Sequence, residues 1–264
     1  MQISISNAIK GQTLSGGAAP FENLYSFEFD GSVDFIDCGA ASNLNFSADD
    51  PFSVSAWFKK PSSGSAEAIV SKGLGAPNGN GWLFWVSGNL VYFRIRENSS
   101  NFHQIRDNNT HPYNTWVHYV ATYDGSRTGS GGGLNLYRNG LKLGGSAVQK
   151  SGNFPSGTGQ STANVGIGAR NPSSFSLPFG GKIDEVAVWD SELSQPDVTA
   201  IYNLGVPDDL NNSGLSRVPL SWWRMGENAT WTGRDWNPIA DVNGGNNGYS
   251  ATMPFAARTT DVPT

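Results

Sequence analysis

Acidic residues are the first place to look for chemistry, because retaining glycosidases cleave their substrates with two carboxyl groups about 5–5.5 Å apart. Side chains two or four residues apart share one face of a strand, so a catalytic pair would show as alternating acids. Asp184 and Glu185 are adjacent on a predicted strand and are expected to point to opposite faces. Asp34 and Asp37, beside a predicted turn at Asp30, also differ in parity. The sequence therefore predicts no catalytic carboxylate pair and no enzyme activity.

Histidine, serine and glycine patterns predict no other catalytic site. The three histidines, His103, His111 and His118, lack the spacing of a metal site. His118 and Tyr119 could serve a lyase, but neighbours on one strand face opposite ways. No Gly-x-Ser-x-Gly elbow precedes a helix, and the glycine-rich stretches lack the Lys-Ser/Thr ending of a phosphate-binding loop. A serine hydrolase and a nucleotide-binding site are therefore not predicted.

Aromatic and basic residues on neighbouring predicted strands could recognise a glycan. Sugar C–H faces stack on aromatic rings, and sugar hydroxyl groups need polar partners. Trp82 and Trp85 differ in parity, so at least one of them is expected to face the core. Phe102 and Arg106 belong to the same region. The glycan-binding candidates are Trp82, Trp85, Tyr92, Arg94, Arg96 and His103.

The elements that would position these residues are short strands at regular spacing. Ser194 and Asp197 predict a capping box for a short helix that stops at Gly205. Asn139-Gly140 predicts a two-residue hairpin. Around a dozen strands and one helix predict an all-β fold, a two-sheet antiparallel jelly-roll sandwich. On the inner strand before the helix, one face is predicted to carry Ile183, Glu185, Ala187 and Trp189.

The stretch from Gly180 to Gly205 combines a Gly-x-Ile-Asp-Glu-Val strand with the capped helix. It resembles the closing strand and helix of laminin-G-like modules of the concanavalin A-like lectin/glucanase superfamily. Four further segments support the resemblance in the family's order, and they are residues 25–31, 52–58, 116–125 and 136–140. The resemblance covers roughly residues 24–205 and implies the sandwich fold, whereas one fold hosts many activities.

The resemblance also implies a possible structural calcium ion. Related modules hold Ca²⁺ with Asp carboxylates and backbone carbonyls, which suit a hard cation. The metal candidates at matching positions are Asp30 and Asp184, with Asp241 in an Asn/Gly-rich loop as a third choice. The alternative for Asp30 and Asp184 is turn capping and a buried hydrogen bond.

The chain divides into three predicted parts: an N-terminal arm (1–23), a laminin-G-like sandwich (24–205) and a Trp-rich C-terminal extension (206–264). The arm is expected either to be disordered or to add a strand to a neighbouring subunit. The extension is expected to pack on the sandwich or on a neighbouring subunit. The subunit-contact candidates are Ile3, Ile5, Trp222, Trp223, Trp231 and Trp236.

Composition limits the partners. The chain has 264 residues and a net charge of −5, with its 17 basic residues scattered, so nucleic acid is not an expected partner. The single cysteine, Cys38, excludes an intramolecular disulfide and a cysteine-based zinc site. Neither a signal peptide nor a membrane span is predicted. We therefore expect a protein that is made in the cytoplasm, that of a host cell if the protein is viral, and that has no membrane partner.

Three hypotheses for function follow from these patterns. The tail Trp222–Gly226 after such a module, together with the N-terminal segment, resembles structural proteins of marine bacteriophages. The first hypothesis is a non-catalytic bacteriophage virion protein, a capsid decoration or fibre component. It would contact itself and other virion proteins, and its lectin-like sandwich could also bind a glycan. The alternative is a free carbohydrate-binding lectin module, and a polysaccharide-degrading enzyme is third.

Overall fold

The computed structural model describes residues 21–62, 64–73, 79–98, 100–126, 132–144, 162–172 and 175–264, and the backbone of 147–151. Ile3 and Ile5 of the predicted N-terminal arm lie outside the described residues. The strands are β1 (Ser26–Asp30), β2 (Ile36–Asp37), β3 (Phe52–Lys59), β4 (Gly64–Gly73), β5 (Gly81–Gly88), β6 (Leu90–Arg96), β7 (Phe102–Arg106), β8 (Val117–Tyr123), β9 (Leu134–Arg138), β10 (Leu141–Lys142), β11 (Ala147–Ser151), β12 (Val165–Ile167), β13 (Gly180–Trp189), β14 (Ser221–Trp223), β15 (Ala229–Trp231), β16 (Trp236–Ile239), β17 (Gly248–Ser250) and β18 (Arg258–Thr259). The α-helix is α1 (Gln195–Tyr202), and short 3₁₀ turns are formed by Ser42–Leu44, Asn203–Gly205 and Phe255–Ala257.

The strands form two antiparallel sheets packed face to face. Across the described ranges, sheet A has eight strands in the order β10-β9-β8-β3-β13-β1-β18, and β14 also pairs with β13. Sheet B has ten strands in the order β11-β7-β6-β5-β4-β12-β2-β17-β16-β15. This arrangement confirms the predicted all-β sandwich with one short α-helix.

The core lies between the two sheets, where alternate residues of each strand meet. Fully buried aromatic side chains dominate it, since each contributes roughly 1.5–3 kcal/mol by leaving water. Phe52 is close to Phe46, with ring centroids 4.5 Å apart, and also contacts Trp82 and Phe93 of sheet B. The two sheets are thus held by aromatic contacts that cross the interior.

Helix α1 closes part of the outer face of sheet A. The predicted capping box is confirmed, because Ser194 accepts from the Asp197 amide while the Asp197 carboxylate accepts from the Ser194 amide. Val198 and Ile201 of the helix pack in a second apolar cluster with Trp189 of β13. None of the helices in the described ranges has the length and apolar content needed to cross a membrane.

Strand β13 contains a β-bulge that changes its side-chain parity. Its register with β3 shifts between Asp184 and Ala187, and Glu185 has a left-handed φ of 48°. One extra residue therefore enters the strand, so Val186 and not Glu185 turns inward. The predicted shared face of Ile183, Glu185, Ala187 and Trp189 is wrong at Ile183, which faces the core while the other three lie on the outer side. The inner face carries Ile183, Val186 and Val188.

The C-terminal segment contributes strands to both sheets. β14 pairs with β13, β18 pairs with β1, and β15 to β17 extend sheet B beyond β2. Trp222, Trp223 and Trp236 are at most 2% exposed, and Trp231 lies against Trp236 and Phe255. The prediction that these tryptophans contact a neighbouring subunit is wrong for Trp222, Trp223 and Trp236, because their rings are buried within this chain.

Replacing Trp236 tests whether the C-terminal segment is an integral part of the sandwich. Trp236→Ala should lower the free energy of unfolding by about 3–5 kcal/mol, since it removes a fully buried ring that contacts Phe27. Val218→Ala, at a side chain 55% exposed in the same segment, is the control and should change stability by less than about 0.5 kcal/mol. Urea unfolding followed by tryptophan fluorescence measures both, and an unchanged midpoint for Trp236→Ala would contradict the integral role.

Candidate functional site

Strands β5, β6 and β7 present alternate residues to the outer face of sheet B. Trp85 and Tyr92 are paired across β5 and β6, and both belong to an apolar cluster separate from the main core. Trp82 is fully buried in the core. His103 is 2% exposed, and it pairs with Ile95, whose side chain faces the core, so His103 faces the same way. The predictions of Trp82 and His103 as glycan-binding residues are therefore wrong, because the pleat directs them inward.

The outer face carries a stack of rings and one guanidinium group. The Tyr92 ring lies on Trp85, with centroids 4.9 Å apart and an angle of 14° between the ring planes. The Arg94 guanidinium carbon lies 5.2 Å from the Trp85 ring and 4.5 Å from the Phe102 ring. Gln104 accepts hydrogen bonds from Arg94 Nε, at 2.8 Å, and from Arg94 Nη2. These contacts fix Arg94 in place on the sheet.

Two further arginines stand beside this stack. Arg96 donates from Nε to the Gly79 carbonyl at 2.8 Å, and Arg170 donates from Nε to Ser176 Oγ at 3.1 Å. Burial lowers the pKa of Arg94 to about 10, and the charges of Arg96 and Arg170 act in the same direction. We call this surface the arginine–aromatic platform, which consists of Trp85, Tyr92, Arg94, Arg96, Phe102 and Arg170.

The bulge in β13 gathers carboxylates on the outer side of sheet A. Asp184, Glu185 and Glu227 each have an oxygen within 4.8 Å of the others, and we call them the acidic cluster. Trp222 donates to Glu185 Oε2 at 2.5 Å, and Arg224 donates to Glu185 Oε1 at 3.1 Å. The prediction that Asp184 and Glu185 point to opposite faces is wrong, because Glu185 is the residue that the bulge inserts.

The acidic cluster is buried, and burial changes its protonation. Burial, with the charges of Glu185 and Glu227, raises the pKa of Asp184 well above its usual range. Burial raises the pKa of Glu185 to about 7, although Arg224 opposes the shift. The cavity that adjoins Glu185 measures about 10 Å³, which is no larger than one water molecule requires. A sugar ring has no access there, so this arrangement does not form a glycosidase cleft.

The oxygens of the acidic cluster fit a hard cation. Asn23 donates to Asp184 Oδ2 at 3.0 Å, which places its side-chain amide at the cluster. Glu227 Oε2 and Asn23 Oδ1 are buried and have no hydrogen-bond partner. Carboxylate and amide oxygens are the donors that Ca²⁺ prefers. These residues therefore suit the calcium ion that the sequence resemblance implies.

The other two metal candidates cap turns. Asp30 Oδ1 accepts from the amides of Ser32, Val33 and Asp34 at 2.8–3.1 Å. Asp241 accepts four amide hydrogen bonds, from Trp222, Asn243, Gly244 and Asn246. Asp30 thus has the turn-capping role that was its alternative, and neither residue joins a metal-binding group among the described residues.

A cleft of about 470 Å³ lies beside the Asp30 turn. Asp30 and Asp34 line it, and burial together with the charge of Asp30 raises the pKa of Asp34 to about 6. Lys59 and Lys182, also in its lining, both form ion pairs with Asp261 at 2.8 Å. Asp34 accepts a hydrogen bond from the Asp30 amide at 3.1 Å within one turn, and Glu28, the third carboxylate of the lining, lies 3.8 Å from Lys182.

His118 and Tyr119 face opposite ways, as the sequence predicts. His118 Nε2 is 2.8 Å from Ser55 Oγ, and its ring stacks on Trp57 at 4.8 Å. The Tyr119 hydroxyl donates to Asp107 Oδ2 at 3.0 Å in the core. Both side chains are at most 1% exposed, so they hold the sheet together and do not form a proton-transfer site.

Sequence patterns alone do not point to several of these residues. Arg170 follows β12 and reaches the platform because the segment after β12 returns to β4, where Leu177 accepts a hydrogen bond from the Ala68 amide. Asn23 and Glu227 are about 200 residues apart in the sequence and both lie beside Asp184 of β13. Only the order of strands in the sheets brings such distant residues together, and no local signal marks them.

The family model of the concanavalin A-like lectin/glucanases superfamily matches residues 30–199. The chain belongs to this superfamily. The matched range contains β13, most of α1 and all of the platform. The match confirms the predicted resemblance to the concanavalin A-like lectin/glucanase superfamily. No curated protein matches the sequence.

Solved structures share the fold at low sequence identity. A protein from Bacteroides ovatus described as carbohydrate-binding is 18% identical, with a TM-score of 0.63, over 97% of this chain and 68% of that chain. The CBM40 of a Ruminococcus gnavus IT-sialidase is 15% identical, with a TM-score of 0.51, over 69% of this chain and 99% of that chain. The same CBM40 bound to α2,3-sialyllactose is 14% identical and has a TM-score of 0.50 over 68% and 97%.

Buried histidines should make the protein sensitive to acid. Burial lowers the pKa of His118 to about 3, whereas an unfolded histidine has a pKa of about 6.5. Below about pH 6.5 the unfolded chain binds the extra proton and the native chain does not, so this stability is present above pH 6.5 and is lost as the pH falls. His118→Asn should therefore lose about 2 kcal/mol less stability than the wild type between about pH 7 and pH 5.

Urea unfolding of both proteins at the two pH values measures this difference. Other titrating groups, including Asp34 and the acidic cluster, are common to the two proteins and cancel in the comparison. An identical pH dependence of the unfolding free energy in the variant would contradict a neutral, buried His118.

Proposed function

We propose that this protein is a carbohydrate-binding module without catalytic activity, which binds a glycan on the arginine–aromatic platform. The observation that carries the proposal is the ordered stack of Tyr92, Trp85, Arg94 and Phe102 on the outer face of sheet B. A sugar ring can stack on the outermost aromatic ring, while guanidinium N–H groups donate to its hydroxyl oxygens.

The two outer faces of the sandwich differ in a way that favours this site. Helix α1 and the segment around Leu210 cover part of the outer face of sheet A and seal its apolar residues. On sheet B, the side chains of Tyr92, Arg94 and Phe102 remain partly exposed. Similar solved structures that are described as carbohydrate-binding support the same class of function.

The bacteriophage virion role remains a prediction from the sequence. Three of its tryptophan contact candidates, Trp222, Trp223 and Trp236, are buried within the chain, and the isoleucine candidates lie outside the described residues. The lectin-module alternative fits the fold and its structural relatives at least as well, and we adopt it as the main proposal.

Replacing Tyr92 tests the platform. Tyr92→Ala removes the half-buried ring that stacks on Trp85, so glycan affinity should fall about tenfold, equivalent to about 1.4 kcal/mol. Tyr113→Ala, at a tyrosine 37% exposed in a loop, is the matched control and should bind as the wild type. A glycan array identifies the ligand and isothermal titration calorimetry measures the affinity. Equal affinities for the two variants would exclude the platform as the binding site.

We also propose that the acidic cluster holds a structural calcium ion with help from Asn23. Asp184, Glu185 and Glu227 would supply carboxylate oxygens, and Asn23 would supply its amide oxygen. The ion would neutralise buried negative charge and join the segments around Asn23 and Glu227 to β13. Its role would be structural, since these residues are remote in sequence from the platform strands.

Thermal unfolding with and without calcium tests this second proposal. The wild type should be stabilised by about 2.7 kcal/mol when Ca²⁺ is present at about 100 times its dissociation constant. Asp184→Asn should abolish that calcium dependence, whereas Asp30→Asn should keep it, because Asp30 caps a turn. A melting temperature of the wild type that is the same in Ca²⁺ and in EDTA would contradict the proposal.

A further inference from the structure

The arginine–aromatic platform concentrates positive charge on a protein that is acidic as a whole. The charge of Arg170 helps to lower the pKa of Arg94 and of Arg96, and Arg96 also lowers the pKa of Arg94, although the chain carries a net charge of −5. Burial also lowers the pKa of Arg96 and of Arg170. Like charges that are partly removed from water repel each other, so the arrangement is unfavourable in the absence of a counter-charge.

The hydrogen-bond partners of Arg94 and Arg170 are neutral. Arg94 donates to the Gln104 side chain and Arg170 donates to the Ser176 hydroxyl. Neither forms an ion pair with a carboxylate in the part of the chain that the structure describes. Two other arginines of the fold form ion pairs, since Arg138 contacts Asp107 at 3.1 Å and Arg224 contacts Glu185 at 3.1 Å. Arg94 and Arg170 lack the carboxylate partner that Arg138 and Arg224 have.

The geometry leaves donors for an external anion. Gln104 Oε1 accepts hydrogen bonds from Nε and Nη2 of Arg94. The Nη1 group of the guanidinium takes no part in these two bonds. Arg170 uses Nε on Ser176, which leaves its two terminal nitrogens outside that contact. Planar guanidinium groups bind carboxylate and sulfate oxygens through paired, charge-assisted hydrogen bonds. An anionic group on the ligand would thus replace water at these nitrogens.

We infer that the platform selects acidic glycans, whose carboxylate or sulfate group binds between Arg94, Arg96 and Arg170 while a sugar ring stacks on Tyr92. This inference rests on the proposed glycan-binding function and adds the class of ligand. The aromatic stack argues for a sugar and against a nucleic acid, because Trp85 is already covered by Tyr92 and Arg94 and offers no slot for a base. The negative net charge of the chain also disfavours a nucleic acid, because that polyanion would contact a large part of the protein surface.

Matched pairs of polysaccharides test the inference in the full-length protein. One pair is polygalacturonate and its methyl ester, which differ in the carboxylate. The second pair is carrageenan and agarose, which differ in the sulfate. The acidic member of at least one pair should bind at least about tenfold more tightly, and its affinity should fall as NaCl is raised. Which pair responds distinguishes a carboxylate from a sulfate ligand.

Charge-removing variants connect the selectivity to the platform. Arg170→Gln keeps a hydrogen-bonding side chain beside Ser176 and should weaken the acidic glycan about tenfold, with little change for a neutral glycan. Arg96→Gln combined with Arg170→Gln should remove the preference altogether. Arg234→Gln, at a side chain 85% exposed and far along sheet B beside Asp235, is the matched control and should keep it. Circular dichroism verifies that each variant is folded.

The outcomes separate this inference from the proposed function. Equal affinity for the acidic and neutral members of both pairs would overturn the inference while leaving glycan binding in place. Tighter binding of a single-stranded oligonucleotide than of any glycan would also overturn it. Failure to bind any glycan, neutral or acidic, would overturn the proposed function and the inference together. Arginine-dependent, salt-sensitive binding of one acidic glycan would establish it.

Discussion

Strand β13 is hydrogen-bonded along both edges, to β3 on one side and to β1 and β14 on the other. A strand in that position cannot slide, because a shift of one residue would turn its buried side chains toward the wrong layer. The bulge at Glu185 lets the strand stay paired with its neighbours while it changes which side chains face the core. Ile183, Val186 and Val188 fill the core, and the inserted residue carries its carboxylate to the outer side.

The same strand lies beside two segments that are distant in sequence, one before β1 and one after β14. Glu227 accepts from the amides of Leu24 and Tyr25 at 2.5 and 2.8 Å, and Asn23 contacts Asp184 at 3.0 Å. β1 and β14 lie end to end along one edge of β13. Buried carboxylates at this junction are unfavourable when ionised and uncompensated. A shared proton or a bound cation would relieve the repulsion, so the junction links folding to the solution conditions.

The two outer faces of the sandwich differ in the residues that cover them. On sheet A, α1 packs with Trp189 and Trp222 and buries the apolar surface within the chain. On sheet B, aromatic rings are stacked with arginines, so that rings and charges share one partly exposed surface. A guanidinium group on a ring keeps its N–H edge available for hydrogen bonds. Sheet B therefore presents a partly exposed surface of rings and charges, whereas the apolar outer surface of sheet A is buried within the chain.

Local patterns in the sequence determined the sandwich class, the capping box of Ser194 and Asp197 and the opposite orientation of His118 and Tyr119, since each depends on spacing along one segment. The sequence also identified Trp85, Tyr92, Arg94 and Arg96 as neighbours, because hairpin strands keep near residues together. The acidic cluster and the position of Arg170 were decided only by tertiary structure. A bulge reverses parity without a local signal, and residues distant in the chain meet only when the order of strands is fixed.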